Sequence, residues 1–281
     1  MSGKAGSGEV EPQRLVSDDE LERYRVDGAV ALRGHFAPWV ERLRAATERV
    51  LEHPGPLGTR YGKDSHRGTF RGDRYMWTFD PDFRDFALSG PGARLAGELM
   101  DASSTRLFYD HLLVKEPGAE APTPWHQDLP YWCVDGEQIC SLWIVLDRVE
   151  RDSGLLQFVR GSHRWNRRFR APDFSHREDF SSELEPMPDI DGARGDYEIL
   201  EWDALEPGDA LAFHAQAIHG APGNSRPDLR RRALSVRWMG DGVRYREHPR
   251  VTRPIRDPGL KDGDPVGGEL FPQVWTRPGP P

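Results

Sequence analysis

Apolar positions along this chain follow two rhythms, and the change between them falls near residue 105. Before it, the spacing is helical. "SDDELERYRVDG" begins with Ser17 and Glu20 three apart, the spacing of a capping box, and stops at Gly28. "AVALRG" reads as a short strand. Pro38 can start a further helix, in which Val40, Leu43, Thr47, Val50 and Leu51 fall near one face. "HPGPLG" ends it. Residues 58–75 read as charged loop, and "ARLAGELM" marks a helix over roughly 92–101.

After residue 105 the runs are strand-like. "RLFYDHLLVKE", "ICSLWIVLD", "LLQFV", "YEILEW", "ALAFHA" and "RALSVRWM" are separated by "EPGAEAP", "DSG", "RGSH", "EPGD" and "APGNSRP". Short strands joined by Gly/Pro turns behind a helical preface predict a mainly β fold, a sandwich or jelly roll. The expected organisation is a disordered tail over 1–15 and one domain over 16–281. Within that domain we expect helices over 16–105, the β core over 106–250 and a Pro/Gly-rich surface tail over 251–281. Residues 170–196 read as a polar insertion.

Composition narrows the class. The 29 Gly and 24 Pro favour turns, while nine Trp and twelve Phe can fill a core. A net charge of −8 speaks against nucleic acid or an acidic membrane surface as partner. Cys133 and Cys140 are too few for a disulfide framework and suit a reducing, cytoplasmic setting. The N-terminus lacks the apolar stretch of a secretory signal, and no run is long and apolar enough to span a bilayer.

The candidate chemistry sits in "PTPWHQDLPYW". His126 and Asp128 are two apart, so on an extended strand both would point to one side. Two His and one carboxylate form the ligand set of non-haem Fe(II) oxygenases. His214 and His219 are the later candidates for a third ligand, and His219, beside Gly220, is preferred because backbone can approach closely there. In "RRRALSVRW", alternation puts Arg231, Ala233, Ser235 and Arg237 on one face, and Arg232, Leu234, Val236 and Trp238 on the other. The second set suits packing. The first can line a cavity, where an arginine could fork onto a small dicarboxylate.

"WHQD" with "HG…N…R-x-A-L-S", framed by "LLVKEPG", "SLWIVLD" and "SGLLQFVRGSH", resembles the phytanoyl-CoA dioxygenase-like family of Fe(II)/2-oxoglutarate-dependent oxygenases over about residues 15–250. The resemblance implies a double-stranded β-helix (cupin-like jelly roll) in which His126, Asp128 and His219 hold Fe(II). It also implies O2 chemistry that converts 2-oxoglutarate to succinate while a small organic molecule is hydroxylated or otherwise oxidised. By the same resemblance Arg231 grips the distal carboxylate of 2-oxoglutarate, with Arg230 and Arg232 as alternatives, and Trp143 and His111 line the cosubstrate pocket. Ala221 stands where relatives often have Ser, a role Ser235 can fill. Asp128 occupies the place that iron halogenases leave to a small residue, which favours oxidation over halogenation. The rival readings are a zinc hydrolase on the same three side chains and a non-catalytic jelly-roll binding module. The sequence names neither the substrate nor an oligomeric state.

Overall fold

The computed structural model describes residues 14–61, 68–170, 183–247 and 253–279. The helical preface forms where caps and periodicity place it. Helix α1 (Asp18–Asp27) has a complete capping box: the Ser17 hydroxyl accepts from the Glu20 amide, and the Glu20 carboxylate accepts from the Ser17 amide at 2.7 Å. Gly28 closes it in the left-handed region (φ 84°). Strand β1 (Ala29–Leu32) follows, then α2 (Val40–Glu52), which buries Val40, Leu43, Ala46, Thr47 and Val50 along one stripe.

Residues 58–75 depart from the loop expected of them. They hold β2 (Thr59–Tyr61) and β3 (Phe70–Arg74), which pair with each other. Charged residues disguise these strands: β2 lies at the sheet edge and is largely exposed, while β3, between β2 and β4, buries the charged Asp73. Helix α3 (Pro81–Ser89) gave no clear sequence signal apart from its start, where Asp80 accepts from the amides of Asp82 and Phe83. Helix α4 (Gly92–Leu99) completes the preface.

The β core continues with β4 (Ser104–Lys115), β5 (Thr123–His126), β6 (Val134–Asp135), β7 (Ile139–Val145), β8 (Val149–Glu150) and β9 (Gln157–Val159). After it come β10 (Ile199–Leu200), β11 (Ala204–Leu205), β12 (Ala210–His214), β13 (His219–Ala221), β14 (Arg231–Met239), β15 (Arg244–Tyr245) and β16 (Gln273–Thr276). The larger sheet runs β1-β12-β7-β14-β4-β3-β2, with β16 also on β4, and the smaller runs β10-β9-β13-β5. All pairings within the two are antiparallel. The fold is a jelly roll with helices outside.

Strand parity decides which face each residue serves. Leu234, Val236 and Trp238 of β14 pack with the helices, alongside Leu43, Phe83 and Leu95. Ala233 joins Trp143, Phe158, Leu211 and Phe213 between the two sheets. The segment after 251 does not lie wholly on the surface: Leu270 and Phe271 are buried in the main core, and β16 extends the larger sheet. Within 183–196, Ile190 packs on Val159, Phe169 and Ile218. Residues 1–13 and 171–182, parts of the expected tail and insertion, lie outside the described residues. No helix among the described residues is long and apolar enough to cross a membrane.

Candidate functional site

The smaller sheet brings the first two site histidines face to face. His219, opening β13, is the register partner of His126, the last residue of β5, and their ring centroids are 4.2 Å apart. Asp128 arrives differently from the expectation. The strand ends at His126, and Asp128 has already turned into helical backbone (φ −73°, ψ −40°) ahead of a short 3-10 turn. The amides of Asp128 and Leu129 both donate to the Ala215 carbonyl at 3.1 Å, which pins that turn. A turn, not strand alternation, therefore aims the carboxylate, and it ends 3.6 Å from His126 Nε2.

One ligand atom from each of His126, Asp128 and His219 lies within 4.8 Å of the others, and all three residues are buried. Each imidazole has its Nδ1 engaged by a carbonyl: His126 with Pro124 at 2.7 Å and His219 with Ala217 at 3.0 Å. Those bonds fix the ring orientation and leave Nε2 as the ligand-capable nitrogen of each ring. Burial, helped by His126, pushes His219 down to about 3, so its ring is neutral. Burial alone would push Asp128 up, but the Arg237 guanidinium, the His126 hydrogen bond and His219 together outweigh it and hold the carboxyl well below its usual range. Two imidazole nitrogens and one carboxylate suit a borderline divalent metal.

His214, the other candidate, is directed elsewhere. Its Nε2 meets the Glu137 carbonyl at 2.7 Å, and its Nδ1 accepts from the Gln216 amide. The segment from 210 to 221 holds two strands, β12 and β13, in different sheets.

Beside the three ligands lies a cavity of about 550 Å³, lined in part by Tyr61, Phe70, Arg74, Tyr109, Tyr131 and Trp132. It also reaches His111, Trp143, Arg231 and Ser235, so all four predicted pocket residues share one space with the triad. Ser235 is the register partner of His111 on β4 and of Trp143 on β7, which puts the three in a row. The Ser235 hydroxyl and His111 Nδ1 are buried without a partner among the described residues, while His111 Nε2 meets the Tyr61 hydroxyl at 2.8 Å.

The three consecutive arginines separate cleanly. Arg230 is paired with Glu116 and Glu48, and Arg232 with Asp147 and Glu48. Arg231 alone turns inward. It is 2% exposed, gives Nη1 to the Leu113 carbonyl at 3.0 Å, rests over Trp143 and Phe70, and leaves Nε without a partner. Among the described residues this buried guanidinium has an unused donor edge and no carboxylate, an arrangement that suits an acidic ligand.

The sequence profile of the phytanoyl-CoA dioxygenase (PhyH) family matches residues 24–233. The chain belongs to that family. It is 30% identical over 247 residues to dioxygenase cdmD of Talaromyces verruculosus, spanning 76% of this chain and 71% of that one. It also superposes on the non-heme alpha-ketoglutarate-dependent carbocyclase SnoK from nogalamycin biosynthesis, with a TM-score of 0.74 and 25% identity over 95% of this chain and 100% of SnoK. A third relative is the epimerase SnoN, solved with Fe3+, alpha-ketoglutarate and nogalamycin RO. Its TM-score is 0.71 at 26% identity, over 92% of this chain and 98% of SnoN.

In this PhyH-family chain three cavity residues had no assigned role at the outset. Arg237, 5% exposed, places Nη2 3.6 Å from Asp128 Oδ2 and lies over the rings of Tyr109 and Trp132 at 4.6 and 5.3 Å. Its membership of the Arg231 face was the available signal. Tyr61 and Arg74 carried none, because their strands were read as loop. Of the aromatics near the His-x-Asp pair, Tyr131, Trp132 and Tyr109 line the cavity, whereas Trp125 points away and donates to Asp191 at 3.0 Å.

Proposed function

We propose that His126, Asp128 and His219 hold iron, and that Arg231 anchors 2-oxoglutarate with His111, Trp143 and Ser235 around it. The enzyme is an Fe(II)/2-oxoglutarate-dependent dioxygenase. The observation that carries the residue assignment is the convergence, in one cavity, of the three ligand atoms and a buried arginine that has no carboxylate.

Bound iron supplies redox chemistry in which O2 oxidises substrate while 2-oxoglutarate is decarboxylated to succinate. The protein's part follows from its own groups. His126, Asp128 and His219 would hold the metal with three side chains, the ligand set of non-haem Fe(II) oxygenases. Carbonyls on both Nδ1 atoms keep the imidazoles in one tautomer. Arg231 receives a carboxylate by a two-pronged hydrogen bond, as lysine could not. Tyr109, Tyr131 and Trp132 keep bulk water from the reacting centre.

The substrate we infer is a small organic molecule. A cavity of about 550 Å³ must admit both it and the cosubstrate. Leu57, Thr59, Arg60, Tyr61, Tyr131 and Trp132 line the cavity and are the candidates for selecting it, whereas residues 183–196 do not reach it. SnoK is a carbocyclase and SnoN an epimerase, which supports oxidative outcomes beyond hydroxylation. The two cysteines are free and buried, in keeping with a cytoplasmic, reducing setting.

A zinc hydrolase would have no use for Arg231. The decisive experiment is anaerobic addition of Fe(II) and then 2-oxoglutarate, followed by visible absorption. A charge-transfer band is expected with the wild type and is lost in His126→Ala. A wild type without the band, or a variant that keeps it, would sink the assignment.

A further inference from the structure

The cavity carries more positive charge than an iron site and its cosubstrate use. Asp128 is the only carboxylate among its described lining residues, against five arginines: Arg60, Arg74, Arg231, Arg237 and Arg253. Arg237 answers Asp128, and Arg231 is the proposed cosubstrate anchor. Iron(II) and 2-oxoglutarate bring equal and opposite charge, so filling their places leaves the excess as it was. Arg60, Arg74 and Arg253 have no ion pair and no side-chain hydrogen bond among the described residues. Arginines elsewhere differ: Arg42, Arg49, Arg148 and Arg160 are all ion-paired although each is substantially exposed. The unpaired ones gather where a small ligand can reach them.

Arg74 is the innermost of the three. It ends β3, is half-buried, and has His111 as its register partner. Phe70, Gly72 and Arg74 share the cavity face of that strand. Phe70 marks the cosubstrate end, 5.8 Å under the Arg231 guanidinium, and Arg74 lies four residues, roughly 13 Å, further along. The Tyr61 ring closes the space between them. A Cβ on Gly72 would meet its Cε2 at 2.8 Å, its centroid is 4.6 Å from that of Phe70, and its hydroxyl reaches His111 Nε2 at 2.8 Å. A carboxylate held at Arg231 therefore lies across that ring from Arg74. Nor does a nearby acid face Arg74. Asp73, on the opposite face of β3, accepts from the amides of Gly55 and Arg74, and Asp110, on the opposite face of β4, accepts from the Trp77 amide. The remaining wall is aromatic: Tyr109, Tyr131 and Trp132 line it, and Tyr131 meets His126 edge-on at 5.8 Å, so it runs up to the metal ligands.

We propose that the substrate is an organic anion, a carboxylate or a phosphate monoester, whose charged end is held by Arg74 and whose apolar body lies along Tyr109, Tyr131 and Trp132. This deepens the reading of the cavity as an Fe(II)/2-oxoglutarate site and rests on it. Arg74 gives the anion a charge-assisted, two-pronged hydrogen bond, and that grip sets which carbon is presented to the metal ligands. Arg60 and Arg253, both exposed, raise the local concentration of anions and act on arrival rather than in the bound state. Arg74 is thus a specificity-determining residue, and no proton or bond of the reaction passes through it.

The test takes the anaerobic Fe(II)-loaded protein, saturated with 2-oxoglutarate, and titrates it with inorganic phosphate followed by phosphorus NMR relaxation. Wild type is expected to bind phosphate saturably, with a Kd that further 2-oxoglutarate leaves unchanged. Arg74→Gln should weaken it by about tenfold to a hundredfold, the loss of a hydrogen bond to a charged group, and Arg74→Lys by less. No saturable binding in wild type, binding that 2-oxoglutarate displaces, or a wild-type Kd in Arg74→Gln would overturn the proposal. Stimulated succinate release then separates the two anions, with phenylacetate against phenylacetamide and benzyl phosphate against benzyl alcohol. An acid that outdoes its neutral analogue supports the proposal, and the reverse order overturns it; with none turned over, the phosphate titration decides. Absence of the charge-transfer band in wild type would instead remove the iron and 2-oxoglutarate reading, and the substrate assignment with it, a failure that the phosphate titration alone does not produce.

Discussion

The two inward arginines of β14 stand at opposite ends of one cavity and differ in a single respect. Arg231 and Arg237 share a strand, a face and near-complete burial, and both lie over aromatic rings. Arg237 has a carboxylate of the same chain, Asp128, 3.6 Å away. Arg231 has none among the described residues, and its register partner on β4 is a second basic residue, Lys115. At one end the fold supplies the counter-charge, and the guanidinium steadies the carboxylate that we propose as a metal ligand. At the other the described residues supply none, which is why we propose the same residue type as a ligand receptor there. A buried cation is thus read by what neutralises it.

The largest effect is expected from removing the built-in counter-charge. Asp128→Ala deletes a metal ligand and leaves Arg237 unpaired, so both ends become cationic. Iron retention after desalting and 2-oxoglutarate-dependent succinate formation should both fall to background. Substantial residual turnover would show that the carboxylate is not a ligand.

Next in size is Arg231→Ala. Truncating one side of a buried charge-assisted pair costs about 2–5 kcal/mol, on the order of 30-fold to a few thousand-fold in Kd for 2-oxoglutarate. Because no protein carboxylate is stranded, the folded protein without cosubstrate should melt no lower than wild type. A weakened cosubstrate Kd with unchanged iron binding separates the two ends. Parallel loss of both would merge them.

Arg237→Leu should act more mildly, lowering iron affinity by about 10- to 100-fold, as for other partners of metal ligands. Its signature is in pH. Arg237 holds the Asp128 carboxyl down, so wild type keeps an ionised ligand as pH falls. Without the guanidinium, burial pushes that carboxyl up, protons compete with iron at higher pH, and the acid limb of the kcat/KM profile moves upward. An acid limb that stays in place would mean Arg237 serves only to pack Tyr109 and Trp132.

Much of this was legible in the chain, and the reasons are local. A period of two along β14 suffices to put Arg231, Ser235 and Arg237 on one face, since a strand has only two. Gly220 and the turn residues around it favoured His219 over His214, and the register of β13 against β5 agrees. The same local logic misjudged residues 58–75. An edge strand with half of each face in water carries no apolar alternation, so Tyr61 and its contact with His111 could not be read. It also expected His126 and Asp128 to share a strand face, whereas the turn that aims Asp128 is held by the carbonyl of Ala215, far along the chain.

By itself, then, the sequence determined the helical preface, most of the core strands, the jelly-roll class and the identity of the three ligand-capable side chains. Those depend on caps, periodicity and residue type, which act within a few positions. Only the tertiary structure decided which buried charge meets which. Arg237 finds Asp128 and Arg231 finds none because strands distant in the chain set their partners, and charge pairing depends on distances that periodicity does not encode.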